Sequence, residues 1–286
     1  IGLSGYIRWG LSPIFWKALN QVEAMDIVSW RVICTFVFVA ACNLLLRFTR
    51  RGKASPLPFL RNKLSMLGGG LIGLNWGIFV WAVESERVVE ASLGYFMNPL
   101  MNVFLGVVFL GEALRKAQWL AVTFAAAGVL WLTISLNAFP WVSLTLAISF
   151  ALYGLIRKVA PASPLQGLSV ETSVLLIPAV AFVLLRGNAS ENLTSDTATV
   201  ILILLSGAVT GIPLLLFASS AKRIPLSILG ILQYITPTIQ FLLGVFAYSE
   251  TFDSNRLIGY SIIWSGLVIF ALDSFRFASS QTSHVE

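Results

Sequence analysis

The sequence predicts an all-α membrane protein of ten transmembrane helices, arranged as two five-helix repeats of opposite orientation. Three observations predict it. The 286 residues are 57% hydrophobic and 11% charged, with a mean hydropathy of +0.85. A soluble domain carries about 25% charged residues, so a surface this poor in charge has lipid for its solvent. Ten apolar runs are each long enough to cross a bilayer. Finally, the second half repeats the first at an offset of 138 residues.

Taken in order, the runs lie at roughly 4–20, 26–46, 64–84, 91–111, 117–134, 142–157, 168–186, 199–219, 225–248 and 257–275. The first holds Trp9, Trp16 and Lys17, and the second Arg31, Cys34 and Cys42. Asn75, Trp76, Phe79 and Trp81 crowd the third behind Gly69 and Gly73; Tyr95, Asn98, Pro99 and Asn102 lie on the fourth. Tyr153 lies on the sixth and Glu171 on the seventh. Gly207 and Gly211 mark the eighth, and Gln233, Thr236, Pro237 and Gln240 the ninth. Connectors are short and leave no room for a soluble domain. The two cysteines have neither disulfide nor metal-site spacing, and the only histidine, His284, is in a polar tail.

The net charge of +6 is a topology signal and not a nucleic-acid footprint. With the first residue on the cytoplasmic side, thirteen Lys and Arg fall inside, twelve in inner connectors and Arg276 after the last run. They include Arg47, Arg50, Arg51, Lys53, Arg61 and Lys63 in the second connector, and Arg157 with Lys158 in the sixth. Only Arg87, Arg186 and Arg256 fall outside, so both ends are expected in the cytoplasm of a bacterial inner-membrane protein.

At the offset of 138, Gly69 falls on Gly207, Gly73 on Gly211, Phe96 on Tyr234, Pro99 on Pro237, Gly106 on Gly244, Glu112 on Glu250 and Gly128 on Gly266. The register slips by two between Gly94 and Gly230. Residues 1–135 and 136–286 are therefore expected as two repeats of one membrane domain. Five spans per repeat is odd, so the second enters the membrane inverted. Equivalent connectors agree: 47–63 is basic, whereas 187–198 has no Lys or Arg. Inverted repeats with a working site between them are typical of alternating-access transporters.

The blocks Y-F-M-N-P-L-M-N (95–102) and Q-Y-I-T-P-T-I-Q (233–240) each set polar residues at i, i+3 and i+7, on one helix face. Tyr95, Asn98 and Asn102 form one stripe, and Gln233, Thr236 and Gln240 the other. Pro99 and Pro237 each remove a backbone hydrogen bond near mid-membrane and become candidate bending points. Two repeat-related stripes point to a shared pocket, although single Asn, Gln or Thr residues also tie membrane helices together. The Gly pairs read as close-packing motifs, with a dimer seam as the weaker reading.

Charges inside the spans are expensive and therefore informative. Lys17 and Arg31 lie toward the outer side and are candidate contacts for a carboxylate-bearing solute. Glu171, in the seventh span, could be protonated, ion-paired or a proton relay. Trp76 sits away from both ends of its span and is a candidate for stacking on solute, with Asn75 and Tyr153 as further lining.

E-A-S-L-G-Y-F-M-N-P-L-M-N (90–102), F-L-G-E (109–112), N-W-G-I-F-V-W-A-V (75–83) and Q-Y-I-T-P-T (233–238) resemble RarD-type proteins of the EamA family, in the drug/metabolite transporter superfamily. The resemblance covers essentially the whole chain. It implies ten helices in two inverted repeats, a central cavity, and export or exchange of small metabolites. For the RarD type it further implies a link to chloramphenicol sensitivity or resistance.

A secondary transporter of amino-acid-like or carboxylate-bearing solutes or amphipathic drugs is thus expected. The alternative is a facilitative channel or lipid-handling protein. No P-loop, zinc or serine-nucleophile motif is present, so neither ATP hydrolysis nor an enzyme is expected. No catalytic residue, cofactor or metal is expected. The expected partners are a small-molecule solute and membrane lipid, and the chain is expected as a monomer or homodimer.

Overall fold

Apolar runs become helices here because a helix satisfies its own backbone N–H and C=O groups inside lipid. A computed structural model describes residues 1–49, 62–135, 139–186, 196–248 and 254–282. Arg50, Arg51, Lys53, Arg61, Asn188, Asn192, Glu250 and His284 lie outside the described residues, as does the side chain of Arg47.

The helices are α1 (Gly2–Lys17), α2 (Ala24–Thr49), α3 (Lys63–Glu84), α4 (Val88–Leu110), α5 (Lys116–Ser135) and α6 (Trp141–Val159). They continue as α7 (Pro164–Leu185), α8 (Thr197–Ala221), α9 (Leu226–Gln233), α10 (Ile235–Leu242) with a π-helical turn (Leu243–Ala247), and α11 (Ser254–Thr282). Among the described residues nine segments are long and apolar enough to cross a membrane, α9 through the π turn counting as one. The tenth expected span corresponds to α1, which has 16 residues.

Local chemistry sets several helix starts. Ser163 and Gln166 form a reciprocal capping box at α7, with Pro164 at the first helical position. The Asp196 carboxylate accepts the Thr199 N–H at 2.6 Å, and the Asn62 amide oxygen that of Ser65 at 3.3 Å. The two prolines act differently. Pro99 lies within an unbroken α4. Pro237 cannot bond the Gln233 carbonyl, and the helix is interrupted at Tyr234, between α9 and α10, while the backbone there stays helical (φ −58, ψ −17). The Tyr234 hydroxyl then donates to the Phe96 carbonyl at 3.1 Å, joining two residues that match at the repeat offset.

The packing pairs obey an exchange rule. Swapping α1–α5 with α6–α11, and treating α9 with α10 as one unit, turns α4–α6 into α10–α1, α3–α6 into α8–α1, and α3–α7 into α8–α2. The same swap leaves α2–α7, α4–α9 and α5–α11 unchanged. The paired glycines make these approaches possible. A Cβ on Gly69 would meet the Glu171 backbone on α7 at 3.0 Å; one on Gly207 would meet the Cys34 backbone on α2 at 2.3 Å. Gly73 faces Leu175 and Gly211 faces Phe38 in the same way. Within this chain both motifs are therefore used for packing.

One sequence assignment is corrected. Arg157 and Lys158 are not connector residues but the last turn of α6, and Arg157 is only 3% exposed. It is drawn inward by a carboxylate that the helix must satisfy. Two faces result. One carries Glu112, Lys158 and the Arg115–Asp273 pair; the other carries Arg87 with Glu90, and Arg186 with Glu23 and Asp26.

Candidate functional site

The residues singled out by sequence sort into three layers between the faces. Nearest the Arg186 face, Arg31 on α2 lays its guanidinium over Trp76 of α3, 4.1 Å from the ring centroid, and 5.4 Å from Trp16 of α1. Tyr95 of α4 is within electrostatic reach of Arg31 and packs edge-on against Phe79 at 5.9 Å. Arg31, Trp76 and Tyr95 are all partly exposed, whereas the Arg31 Nε is buried and has no hydrogen-bond partner. Four helices thus hold an aromatic cage around one cation. The guanidinium lies close to two indole rings, and its N–H groups have the geometry to pair with a planar anion.

Lys17 does not join this cage. It is exposed at the end of α1, and its ammonium lies 3.5 Å from the centroid of the Tyr248 ring.

The middle layer is amide and aromatic. Asn102 lies seven residues below Tyr95 on α4, a drop of about 10 Å along the helix. Its Nδ2 donates to Gln233 Oε1 at 3.0 Å and to Asn98 Oδ1 at 3.4 Å. All three amides are buried. The two stripes therefore meet each other at the α4–α9 seam. Thr236 and Gln240 turn instead to α1, donating to the Tyr6 carbonyl at 2.9 Å and the Trp9 carbonyl at 3.4 Å. Asn75 donates to the Leu146 carbonyl and the Ser149 hydroxyl, both at 2.9 Å, and ties α3 to α6. Beside the amides, Tyr6, Trp9, Phe150, Tyr153 and Phe217 form a continuous aromatic cluster, with Tyr153 stacked on Phe217 at 5.9 Å.

This layer gives a direct test. Replacing Asn102 by Ala removes the donor to Gln233 and will lower thermal stability, by about 1–3 kcal/mol for stranding a buried amide. A melt of the purified variant in detergent checks it; an unchanged melting temperature would show that the contact contributes nothing.

The third layer lies toward the Glu112 face. Glu171 is 1% exposed and is ion-paired to Arg157 (Nη1 to Oε1, 2.9 Å), while the Tyr153 hydroxyl donates to its other oxygen at 3.1 Å. Of the three states open to Glu171 from sequence, the geometry is that of a paired carboxylate. Tyr153 and Arg157 are four apart on α6, so both reach the same partner; that spacing was a readable signal for Arg157. Glu112, Lys158 and Lys222 gather at the helix ends nearby. Burial alone would raise the Glu112 carboxyl. The N–H groups of Ser227 and Leu226, the Ser227 hydroxyl and Lys158 outweigh it and hold the carboxyl below its usual value. Sequence reasoning placed none of these last residues in a site.

Comparison with known proteins adds the family. The model of the EamA-like transporter family matches residues 1–134 and again 140–272. The chain belongs to the EamA-like transporter family. Protein RarD of Streptomyces exfoliatus is 41% identical over 291 residues, covering 100% of this chain and 91% of that protein. The uncharacterized transporter YojE of Bacillus subtilis is 40% identical over 282 residues, covering 98% and 95%. A protein of known crystal structure shares the fold, with a TM-score of 0.68 over 95% of this chain and 96% of that one, at 19% identity. This EamA-family chain is a RarD-type, multi-pass membrane transporter.

Proposed function

We propose that this transporter is a secondary carrier of the bacterial inner membrane, moving a small carboxylate-bearing metabolite by alternating access between two inverted repeats, residues 1–135 and 136–286. The observation that carries the reading is Arg31: a cation held at 4.1 Å over Trp76, among the membrane helices, with its Nε unpartnered. A charge is retained in such a place, at a cost of at least about 2.5 kcal/mol by insertion scales, when something uses it. Trp76 and Tyr95 supply the flat, amphipathic walls an aromatic or amino-acid-like solute would pack against. The two-fold exchange of helix pairs, and the family model matching twice, support the inverted repeat. On the basic bias of the inner connectors, both ends and the Glu112 face are read as cytoplasmic.

On this reading the buried amides Asn98, Asn102 and Gln233 close the route below the Arg31 cage. Asn75, Tyr153, Thr236 and Gln240 hold the surrounding helices, Pro237 marks the bending point, and Lys17 stands at the outer rim. Neutral chloramphenicol lacks the carboxylate that Arg31 would select, so it ranks below anionic and zwitterionic solutes.

Counterflow in proteoliposomes, across a panel of amino acids, aromatic carboxylates and chloramphenicol, tests the reading. Saturable counterflow of a carboxylate is expected, and Arg31→Ala should weaken it by roughly ten- to a hundredfold, the size of a charge-assisted hydrogen bond. Arg31→Lys keeps the charge but not the planar fork and should recover only part. Linear flux without competition would instead indicate a channel. A pH gradient across the same vesicles tests proton coupling through Glu171: a gradient that drives accumulation in the wild type but not in Glu171→Gln would assign it that role.

A further inference from the structure

The F-L-G-E motif at the end of α4 carries Glu112, whose contacts in the third layer join the two halves. Gly111 takes a left-handed conformation (φ 64) that ends α4 and turns the chain back. The Glu112 N–H then bonds the Gly106 carbonyl at 3.0 Å. The turn delivers the Glu112 carboxylate to the start of α9. Its Oε1 accepts the Leu226 N–H at 2.7 Å, and its Oε2 accepts the Ser227 N–H at 2.8 Å and the Ser227 hydroxyl at 2.7 Å. These are the first N–H groups of a helix, which have no partner within the helix and carry its positive end. Pro225, the residue that would cap them, makes no side-chain cap.

Two lysines close the neighbouring helix ends in the complementary sense. The Lys158 ammonium, at the end of α6, donates to the carbonyls of Ala221, the last residue of α8, and of Ile224 just past it, and lies 3.6 Å from Glu112 Oε1. Lys222, at the end of α8, donates to the Ala160 carbonyl at the end of α6. Glycines let the seam close to backbone distance. A Cβ on Gly106 would meet the Ser227 N at 3.0 Å, and one on Gly230 the Pro99 carbonyl at 2.7 Å. The result is a web of cross-capped helix ends, centred on one carboxylate of the first half and one helix start of the second.

We propose that Glu112 is the latch of the gate on its face: its carboxylate, as the cap of α9, holds the halves together there, and opening that face requires Glu112 to leave the Leu226 and Ser227 N–H groups. The proposal rests on the alternating-access reading, but its test needs no substrate. In a background with Cys34 and Cys42 replaced by Ala, Leu229→Cys provides a probe on α9, at a position that is 0% exposed. Labelling with a membrane-impermeant maleimide is timed from each side of oriented membrane vesicles. With Glu112 intact, labelling from the Glu112 face should be slow. Glu112→Gln should speed it on the order of tenfold, as loss of charge-assisted bonds shifts a two-state equilibrium. Ser227→Ala, which removes only the hydroxyl contact, should give a smaller increase from the same side. If Glu112→Gln does not fold, Ser227→Ala and Lys158→Ala carry the test alone. Unchanged labelling in every folded variant, or faster labelling from the opposite face, overturns the latch. Faster labelling without any saturable counterflow would keep the latch and remove the carrier reading.

Discussion

Replacing Glu171 by Leu will strand Arg157 as an uncompensated cation and destabilise the protein by about 3–5 kcal/mol, the usual consequence of removing one partner of a buried pair. Arg157 and Glu171 are 3% and 1% exposed, so water cannot take over from the lost partner. The Arg157 Nη2 still has the Pro164 carbonyl at 2.7 Å, but a carbonyl does not neutralise it. Tyr153, at 3.1 Å from Glu171, loses its acceptor at the same time. A fall in melting temperature and in monodisperse yield in detergent is the readout. The double change Arg157→Leu with Glu171→Leu should regain most of the loss, because two well-packed apolar side chains avoid desolvating either charge. A Glu171→Leu variant as stable as the wild type would mean that the pair does not form in the folded protein.

Placing a side chain at Gly207 will be the other severe change. An added Cβ would sit 2.3 Å from the Cys34 carbonyl oxygen and 2.4 Å from its carbonyl carbon, and both are backbone of α2. Neither atom can rotate away, so α8 and α2 must separate. Gly207→Leu should therefore cost at least about 1–3 kcal/mol, the range for overpacking. Gly70 and Gly77 are the controls, since an added Cβ on either meets nothing within 4 Å. Gly70→Ala and Gly77→Ala should melt with the wild type while Gly207→Leu does not. Equal melting of all three would remove the close-approach explanation of the glycine motif.

Much of the fold was legible because lipid imposes a simple rule. Apolar runs of spanning length must be helices, and their number and the location of basic residues follow from counting. The glycines Gly69 and Gly207, which fall on each other at the repeat offset, answer one steric demand, close approach to a neighbouring backbone. Prolines were less informative. Pro99 and Pro237 remove the same kind of bond, yet α4 continues unbroken through one while the helix is interrupted three residues before the other. That difference depends on which neighbours hold the freed groups, and those neighbours are remote in sequence.

Sites were only partly legible. Arg31 stood out because a charge inside a span is costly wherever it points, and it proves to be caged by Trp76 and Trp16. Lys17 stood out for the same reason, yet it lies exposed over Tyr248. Periodicity put Asn98 and Asn102 on one face but did not say what the face meets, and it meets Gln233. Arg157 and Glu112 were taken for a topology signal and a family motif, because their partners Glu171 and Ser227 lie on other helices.

The chain alone decides that this is a membrane protein of about ten helices, because composition and run length are properties of covalent order. Tertiary packing alone decides which polar groups pair across helices and which do not. The Asn102 Nδ2, Glu171 and Glu112 bond partners 131, 14 and 115 positions away, whereas the Arg31 Nε, like the Asn102 Oδ1 and the Arg157 Nε, is buried without one. Pairing over such separations is a matter of where helices cross, and a local pattern in the chain does not carry that information.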